Sequence, residues 1–232
     1  MNKKARKIKL VFFKIASFMC LFLFNSCGLE VIDYYYPPNP SDNAYIEPSS
    51  LSEQKITFFT NASSNTSPFY KGTKVYYRIY NDEQKAKSDR QALTSYVTDS
   101  STSYYAFERL TSTYKYQKLN NSDTLFLKNS PPKEEVILDF TTINTEGSEA
   151  RATYNENTFD IFRIVQNYKK EYLSFNLGSD YSYNAEVDID IEYTSDSASS
   201  SWYINFFAVN FGISETFTEQ YSTITYIGSV LL

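Results

Sequence analysis

Glu186, Asp188, Asp190 and Glu192 stand two residues apart in the run Glu186-Val187-Asp188-Ile189-Asp190-Ile191-Glu192-Tyr193. On an extended strand that spacing places the four carboxylates on one face, at intervals of about 6.6–7 Å, with Val187, Ile189 and Ile191 on the other. A ladder of this kind suits a hard cation such as calcium, provided a neighbouring loop adds carbonyl oxygens. It lacks the looped geometry that wraps one ion. The simpler expectation is a solvated acidic face that discourages pairing with other chains. Just upstream, Asp180 to Asn184 carries Tyr181 and Tyr183 in a polar aromatic loop that could touch a ligand, although an ordinary surface loop explains it as well.

Other chemistries are limited by what the chain lacks. There is no histidine, which removes the Ser-His-Asp triad, histidine zinc sites and the side chain that most readily exchanges protons near neutrality. Cysteine occurs at positions 20 and 27 alone, so the body holds no disulfide framework, thiolate metal site or thiol nucleophile. With six glycines in all, no phosphate-cradling loop can be traced. Carboxylate, lysine or tyrosine chemistry remains, with paired-carboxylate glycosidases as the precedent.

The positioning of the chain starts at its N-terminus. Lys3, Lys4, Arg6, Lys7 and Lys9 form a basic head before the apolar run Ile15 to Phe24, the layout of a secretory signal and too short to span a bilayer. The following Phe24-Asn25-Ser26-Cys27 resembles the lipobox of bacterial lipoproteins, in the permissive form seen in spirochaetes and Bacteroidetes. Phe24 stands at the apolar position, Asn25 where a small residue is more usual, Ser26 at the small position and Cys27 at the lipidated one. The resemblance implies cleavage before Cys27, acylation (palmitate and a diacylglyceryl group) on it, and attachment at the cell envelope, the outer membrane more than the inner. Two or more chains, at about 0.8 kcal/mol per buried methylene, hold a protein durably where one does not.

Removing residues 1–26 takes away six of the 22 basic residues and none of the 27 acidic ones, leaving a net charge near −11. Such a surface repels phosphate backbones, so no nucleic-acid partner is expected. Gly28 to Gln54 reads as a tether, with Pro37, Pro38, Pro40 and Pro48 among Asp, Asn and Ser. Tyr34-Tyr35-Tyr36 within it has two readings, packing on the body or sitting at the membrane interface.

From residue 55 to residue 232 the pattern is that of short strands. Ile56–Phe59, Gly72–Tyr80, Thr113–Leu119, Thr124–Lys128, Glu135–Thr142, Ala150–Tyr154, Phe159–Val165, Tyr172–Leu177, Glu186–Tyr193, Trp202–Val209 and Thr223–Leu232 are the expected strands, separated by polar turns. Asn81 followed by Gln84 reads as a helix cap, opening a thin-faced polar helix through Ser95, and Tyr104 to Leu110 adds a further helical turn. The insertion spans about residues 81–111. Trp202–Val209 is apolar on both faces, as a central strand should be, and Trp202 reads as core more readily than as a sugar platform. The 18% aromatic content fits a β-rich body. Val75-Tyr76-Tyr77-Arg78 after Gly72, and Ala208 to Ser214, resemble strands of immunoglobulin-like and fibronectin type III domains, which implies a β-sandwich with a short helical insertion. The expected function is a non-enzymatic, lipid-anchored module binding a protein or carbohydrate, with no cofactor. A carboxylate-based carbohydrate-processing enzyme or accessory protein, and a purely structural envelope protein, are the alternatives.

Overall fold

Two of the expected strands, Gly72–Tyr80 and Trp202–Val209, become the two longest strands among the described residues. In a computed structural model describing residues 35–42, 54–61, 66–96, 103–119, 126–127, 135–143, 149–163, 173–178, 181–195 and 201–232, β3 (Tyr70–Tyr80) and β10 (Tyr203–Ile213) each span 11 residues. They pair antiparallel from Tyr203↔Tyr80 to Gly212↔Tyr70. Contacts divide the chain into residues 1–31 and 32–232, and the described residues all fall in the second unit. Cys27, the signal, and the turns expected at Asn120–Asp123 and Glu146–Ser148 lie outside the described residues.

Short strands flank this central pair. Along β10 lie β12 (Thr225–Leu231) and then β11 (Glu219–Tyr221), and along β3 lie β9 (Ile191–Glu192), β4 (Gln117–Lys118) and β5 (Phe126–Leu127). All are antiparallel to their neighbour except β9, which runs parallel to β3. The second sheet is antiparallel throughout, in the order β1 (Asn39–Pro40), β2 (Lys55–Phe59), β6 (Glu135–Asp139), β7 (Ala150–Tyr154) and β8 (Asn157–Ile161). The fold is thus mainly β, two sheets in sandwich-like layers with short helices.

The period-two rule explains which side chains meet. Val75, Tyr77 and Ile79 of β3 join Ile204, Phe206 and Ala208 of β10 in a core shared with Ile56, Phe58, Val136, Leu138, Ala150 and Ala152 of the other sheet. The alternate residues Tyr76, Phe207 and Val209 point the other way, against Leu93, Ala106, Leu110 and Tyr116. β10 is therefore apolar on both faces because both are covered. Trp202 is buried in the first of these cores, as expected. The sheets approach closely at Gly228, whose φ of +145° sits in the β10–β12 bulge, and a Cβ there would lie 3.1 Å from Ile56 Cγ1.

The helical insertion lies over the outer face of the longer sheet. In α1 (Glu83–Ser95), Ala86, Asp89 and Leu93 make the thin buried stripe. Its cap is Asp82, not Asn81: Asp82 Oδ1 accepts from Lys85 N at 2.9 Å. Asn81 instead clamps Thr194, donating to its carbonyl at 2.9 Å and accepting from its amide at 2.7 Å. α2 (Ser103–Glu108) runs into a π-helical turn over Arg109–Thr113. The strand expected at Thr113–Leu119 shrinks to β4, because Lys115 at φ +56° leaves the extended region. Asn155 and Glu156, at φ +48° and +62°, form the tight turn that brings Asn157 opposite Tyr154 and starts β8 earlier than expected. Leu173 makes a single bridge to Arg163 where a strand was expected over Tyr172–Leu177.

The stretch expected to be a free tether belongs partly to the body. Tyr35 is fully buried, its ring 5.9 Å from that of Tyr70 and its hydroxyl occupying the space a Cβ on Gly212 would need. Asn210 Nδ2 donates to Tyr36 O at 2.7 Å, Thr225 Oγ1 donates to Pro38 O at 2.9 Å, and β1 pairs with β2. Of the two readings of the tyrosine cluster, Tyr35 follows the first. A fragment beginning at Ser41 should therefore be less stable than one beginning at Gly28 by about 3–5 kcal/mol, the usual cost of emptying an aromatic site. Urea unfolding of the two fragments measures it.

Buried tyrosines also set the alkaline limit. Burial pushes the phenols of Tyr70, Tyr80 and Tyr116 well above their ordinary range. The folded chain then keeps protons that the unfolded chain releases, so their contribution is intact below about pH 10 and is lost as pH rises. With three such groups, stability should fall by about 4 kcal/mol per pH unit above that point, read from urea melts on either side of it.

Candidate functional site

The carboxylates at 186, 188, 190 and 192 do not form a ladder. Only Ile191 and Glu192 are strand, and residues 185–190 fold through successive turns. Val187 N and Asp188 N donate to Asn184 O at 3.0 and 2.8 Å, and Ile191 N donates to Asp188 O at 3.0 Å. A turning backbone does not keep the two-residue period, so the pattern inverts. Asp188 and Asp190 are 1% and 0% exposed, whereas Val187 and Ile189 are half-buried. Glu186 is exposed, and Glu192 reaches sideways to Arg78 at 2.5 Å. The solvated acidic face expected for this run is therefore corrected to one exposed acid, one half-buried ion pair and two interior carboxylates.

What draws the two aspartates inward is Arg163, itself fully buried. Its Nε and Nη2 fork onto Asp190, at 2.8 Å to Oδ2 and 2.7 Å to Oδ1. Nη2 also donates to Asp188 Oδ1 at 2.8 Å, and Nη1 to the Tyr181 hydroxyl at 3.1 Å. Tyr77 donates to Asp190 Oδ2 at 2.7 Å, Tyr181 donates to Asp188 Oδ1, and Asn184 N donates to Asp188 Oδ2 at 2.8 Å. Each carboxylate thus accepts three hydrogen bonds. One guanidinium faces two carboxylates, and the hydroxyl and amide dipoles offset the extra negative charge.

The electrostatics follow from burial and partners. Burial alone would lower the proton affinity of Arg163, but the hydrogen bonds and charge of Asp190, with those of Tyr181 and Asp188, overcome it and move it upward. Burial, and donation to Asp188, raise the Tyr181 phenol. Tyr181 also sets its ring edge-on to Trp202 at 5.7 Å, while Tyr183 stacks on Tyr193 at 4.4 Å. Of the polar aromatic loop expected at Asp180–Asn184, the described part from Tyr181 to Asn184 packs beside the network, its tyrosines held by the body.

Chemically this is an internal clamp. It ties the segment after β8 to the segment before β9, and through Tyr77 to the central strand. Glycoside hydrolysis needs two carboxylates flanking a cleft that admits substrate and water; Asp188 and Asp190 have no solvent-facing oxygen free for that work. Among the described residues no three Asp or Glu carboxylates converge to hold a metal ion. Arg163 is the residue that sequence reasoning passed over. Its signal was its phase: it falls two residues after Ile161, on the inward side of an apolar run.

Elsewhere, a shallow open notch lies between α1 and the sheet, lined by Glu83, Lys87, Arg90, Tyr203, Asn205 and Ser229, with a cavity volume of about 10 Å³. That is room for about one water, far below the roughly 300–1,000 Å³ of a ligand cleft. Its floor is occupied: Asn205 Nδ2 donates to Ala86 O at 2.8 Å, and Ser229 Oγ donates to Asn205 Oδ1 at 2.6 Å. No protein-family model, curated protein or solved structure matches this chain.

Arg163→Met should be among the most damaging single changes, because it strands two carboxylates in the interior. A loss of about 3–5 kcal/mol is expected near neutrality. Unpaired burial raises carboxylate pKa values, so the variant should recover part of its stability as pH falls towards about 5, where the wild type does not gain. Denaturant melts of both proteins across that range test the sign.

Proposed function

We propose that this chain is a lipid-anchored envelope protein, acylated on Cys27, whose β-sandwich body is a non-enzymatic binding module for a protein or carbohydrate partner. The observation that carries the anchoring is the order of elements at the N-terminus. A basic head and short apolar run lead to Phe24-Asn25-Ser26-Cys27, and folded structure is already in place at Tyr35, eight residues later. Among the described residues no helix is long and apolar enough to cross a membrane. Acyl chains on Cys27 would supply the attachment, with the outer membrane as the expected site.

Binding is favoured over catalysis by how the titratable groups are used. Asp188 and Asp190 are consumed by Arg163, Glu192 by Arg78, and Asp89 by Lys85 at 2.6 Å. Exposed aromatic rings offer the apolar contact area that partners use: Tyr105 on α2 is 58% exposed and Tyr193 45%. A net charge near −11 on the mature chain argues for partners other than nucleic acid.

Metabolic labelling with a fatty acid, followed by detergent partitioning, tests the anchor. Label should enter the wild type and be absent from Cys27→Ala, which should leave the membrane fraction. Label in the alanine variant, or membrane retention without label, would refute the assignment. Partner capture is best done with a fragment starting at Gly28, since Tyr35 and β1 belong to the body.

A further inference from the structure

Phe217 is the most exposed large apolar side chain among the described residues, at 89%, and it sits at φ +63°. A bulky non-glycine residue in the left-handed region is strained, and glycine would suit the position better. The turn that holds it is firmly built. Ser214 N donates to Thr218 O at 2.9 Å, Phe217 N to Ser214 O at 2.9 Å, and Thr218 N to Ser214 Oγ at 3.1 Å. The ring is thus presented outward by an ordered hairpin tip between β10 and β11. Neither core packing nor local backbone preference accounts for a phenylalanine here.

Covalent geometry bounds how far the anchor can lie from the chain entry. The turn follows the C-terminal end of β10, where Tyr35 packs on Gly212 and Tyr36 O accepts from Asn210. Tyr36 itself is 50% exposed. Eight residues separate Cys27 from Tyr35, and a fully extended chain covers at most about 3.6 Å per residue, so the lipidated sulfur lies within about 29 Å of this end. Trp202 and Leu232 mark the other end of β10, roughly 33 Å from this end along the strand.

Charge at the tip agrees with a weakly charged target. Glu219 is paired with Lys74 at 3.2 Å, and Glu215 adds one exposed acid. Electrostatic attraction to anionic lipid is therefore absent, and apolar insertion of an aromatic ring at the headgroup boundary is what remains. One ring would hold a free protein only marginally. For a domain already confined near the bilayer, the high effective concentration makes the same contact consequential.

From these observations we infer that the 214–218 hairpin, through Phe217 with Tyr36 beside the chain entry, docks into the interfacial region of the bilayer that carries the Cys27 acyl chains. The domain is then held with its Tyr203 end pointing away from the membrane. This rests on acylation at Cys27.

The test uses the full-length acylated protein in vesicles of zwitterionic phosphatidylcholine with brominated acyl chains. Phe217→Trp adds an indole at the tip, while native Trp202 serves as an internal reference at the far end. Tyr193→Trp places an exposed indole near that far end. The added emission of Phe217→Trp should be quenched about twofold or more relative to non-brominated vesicles, with wild type and Tyr193→Trp unchanged. Adding anionic lipid should not strengthen the quenching. Phe217→Gly should remain folded, melt at or above the wild-type temperature, and lose docking, read as faster cleavage after Glu215 and Glu219 by a glutamate-specific protease in vesicles. Flotation separates the two ideas. Protein that floats without quenching overturns the docking and leaves the anchor intact; protein that fails to float overturns the anchor and the docking with it. A spectral shift of Phe217→Trp that appears only when envelope proteins are added would assign the ring to a protein pocket and overturn the lipid assignment.

Discussion

The antiparallel pairing of β3 with β10 is the constraint from which the remaining architecture follows. Two 11-residue strands in register create a sheet centre whose every side chain, above and below, must be covered. The inner face is closed by the five-stranded sheet, the outer by α1, α2 and the π-helical turn. Edge pairing is then filled piecemeal by short strands, three along β3 and two along β10. Among the described residues, breaking the edges into short, displaced pieces leaves no long unpaired ladder to template association on those sides.

A sheet covered on both faces leaves little room for exposed polar chemistry at its centre, and the polar groups present there are structural. Asn205, Ser229 and Tyr226 make one chain of hydrogen bonds under α1; Thr73, Tyr70 and Asn210 make another near the chain entry. Arg163 with Asp188 and Asp190 makes the third and most highly charged. Buried ion pairs often contribute little net stability compared with apolar residues of the same shape, yet they tolerate few alternative packings. Here the network fixes a turn-rich segment that has almost no regular secondary structure of its own. Its two-to-one charge ratio is balanced by donors from Tyr77, Tyr181 and Asn184, so removal of any one of them leaves a lone pair with nothing to accept.

Absorbing Tyr35 and β1 into the body changes what the N-terminal region does mechanically. With a 28-residue tether from Cys27 to Gln54, a domain could sample a wide volume in any orientation. With Tyr35 buried and β1 paired, the chain joins the body at a defined end of the long strands. That end also carries the Phe217 hairpin.

Much of this protein was legible in its residues alone. Alternation in Val75–Ile79 and the two-sided apolar run Trp202–Val209 marked the central strands and the burial of Trp202, because a side chain's face on an extended backbone is set by parity. The helix at 83–95 was announced by its capping residues, although one position early, since Asn81 found a long-range partner in Thr194. The absence of histidine and of a thiol in the body bounded the chemistry by composition alone. Parity was also what misled at Asp188 and Asp190. It holds only while the backbone stays extended, and here the backbone turns; the cation that calls these acids inward lies 25 and 27 residues away in sequence. The burial of Tyr35 likewise depended on a groove made by Tyr70 and Gly212, residues far along the chain. Local pattern therefore determined strand identity and excluded chemistries, while side-chain fate at turns and chain ends was decided by tertiary partners, because only the folded chain brings a charge or a cavity within reach of the group that fills it.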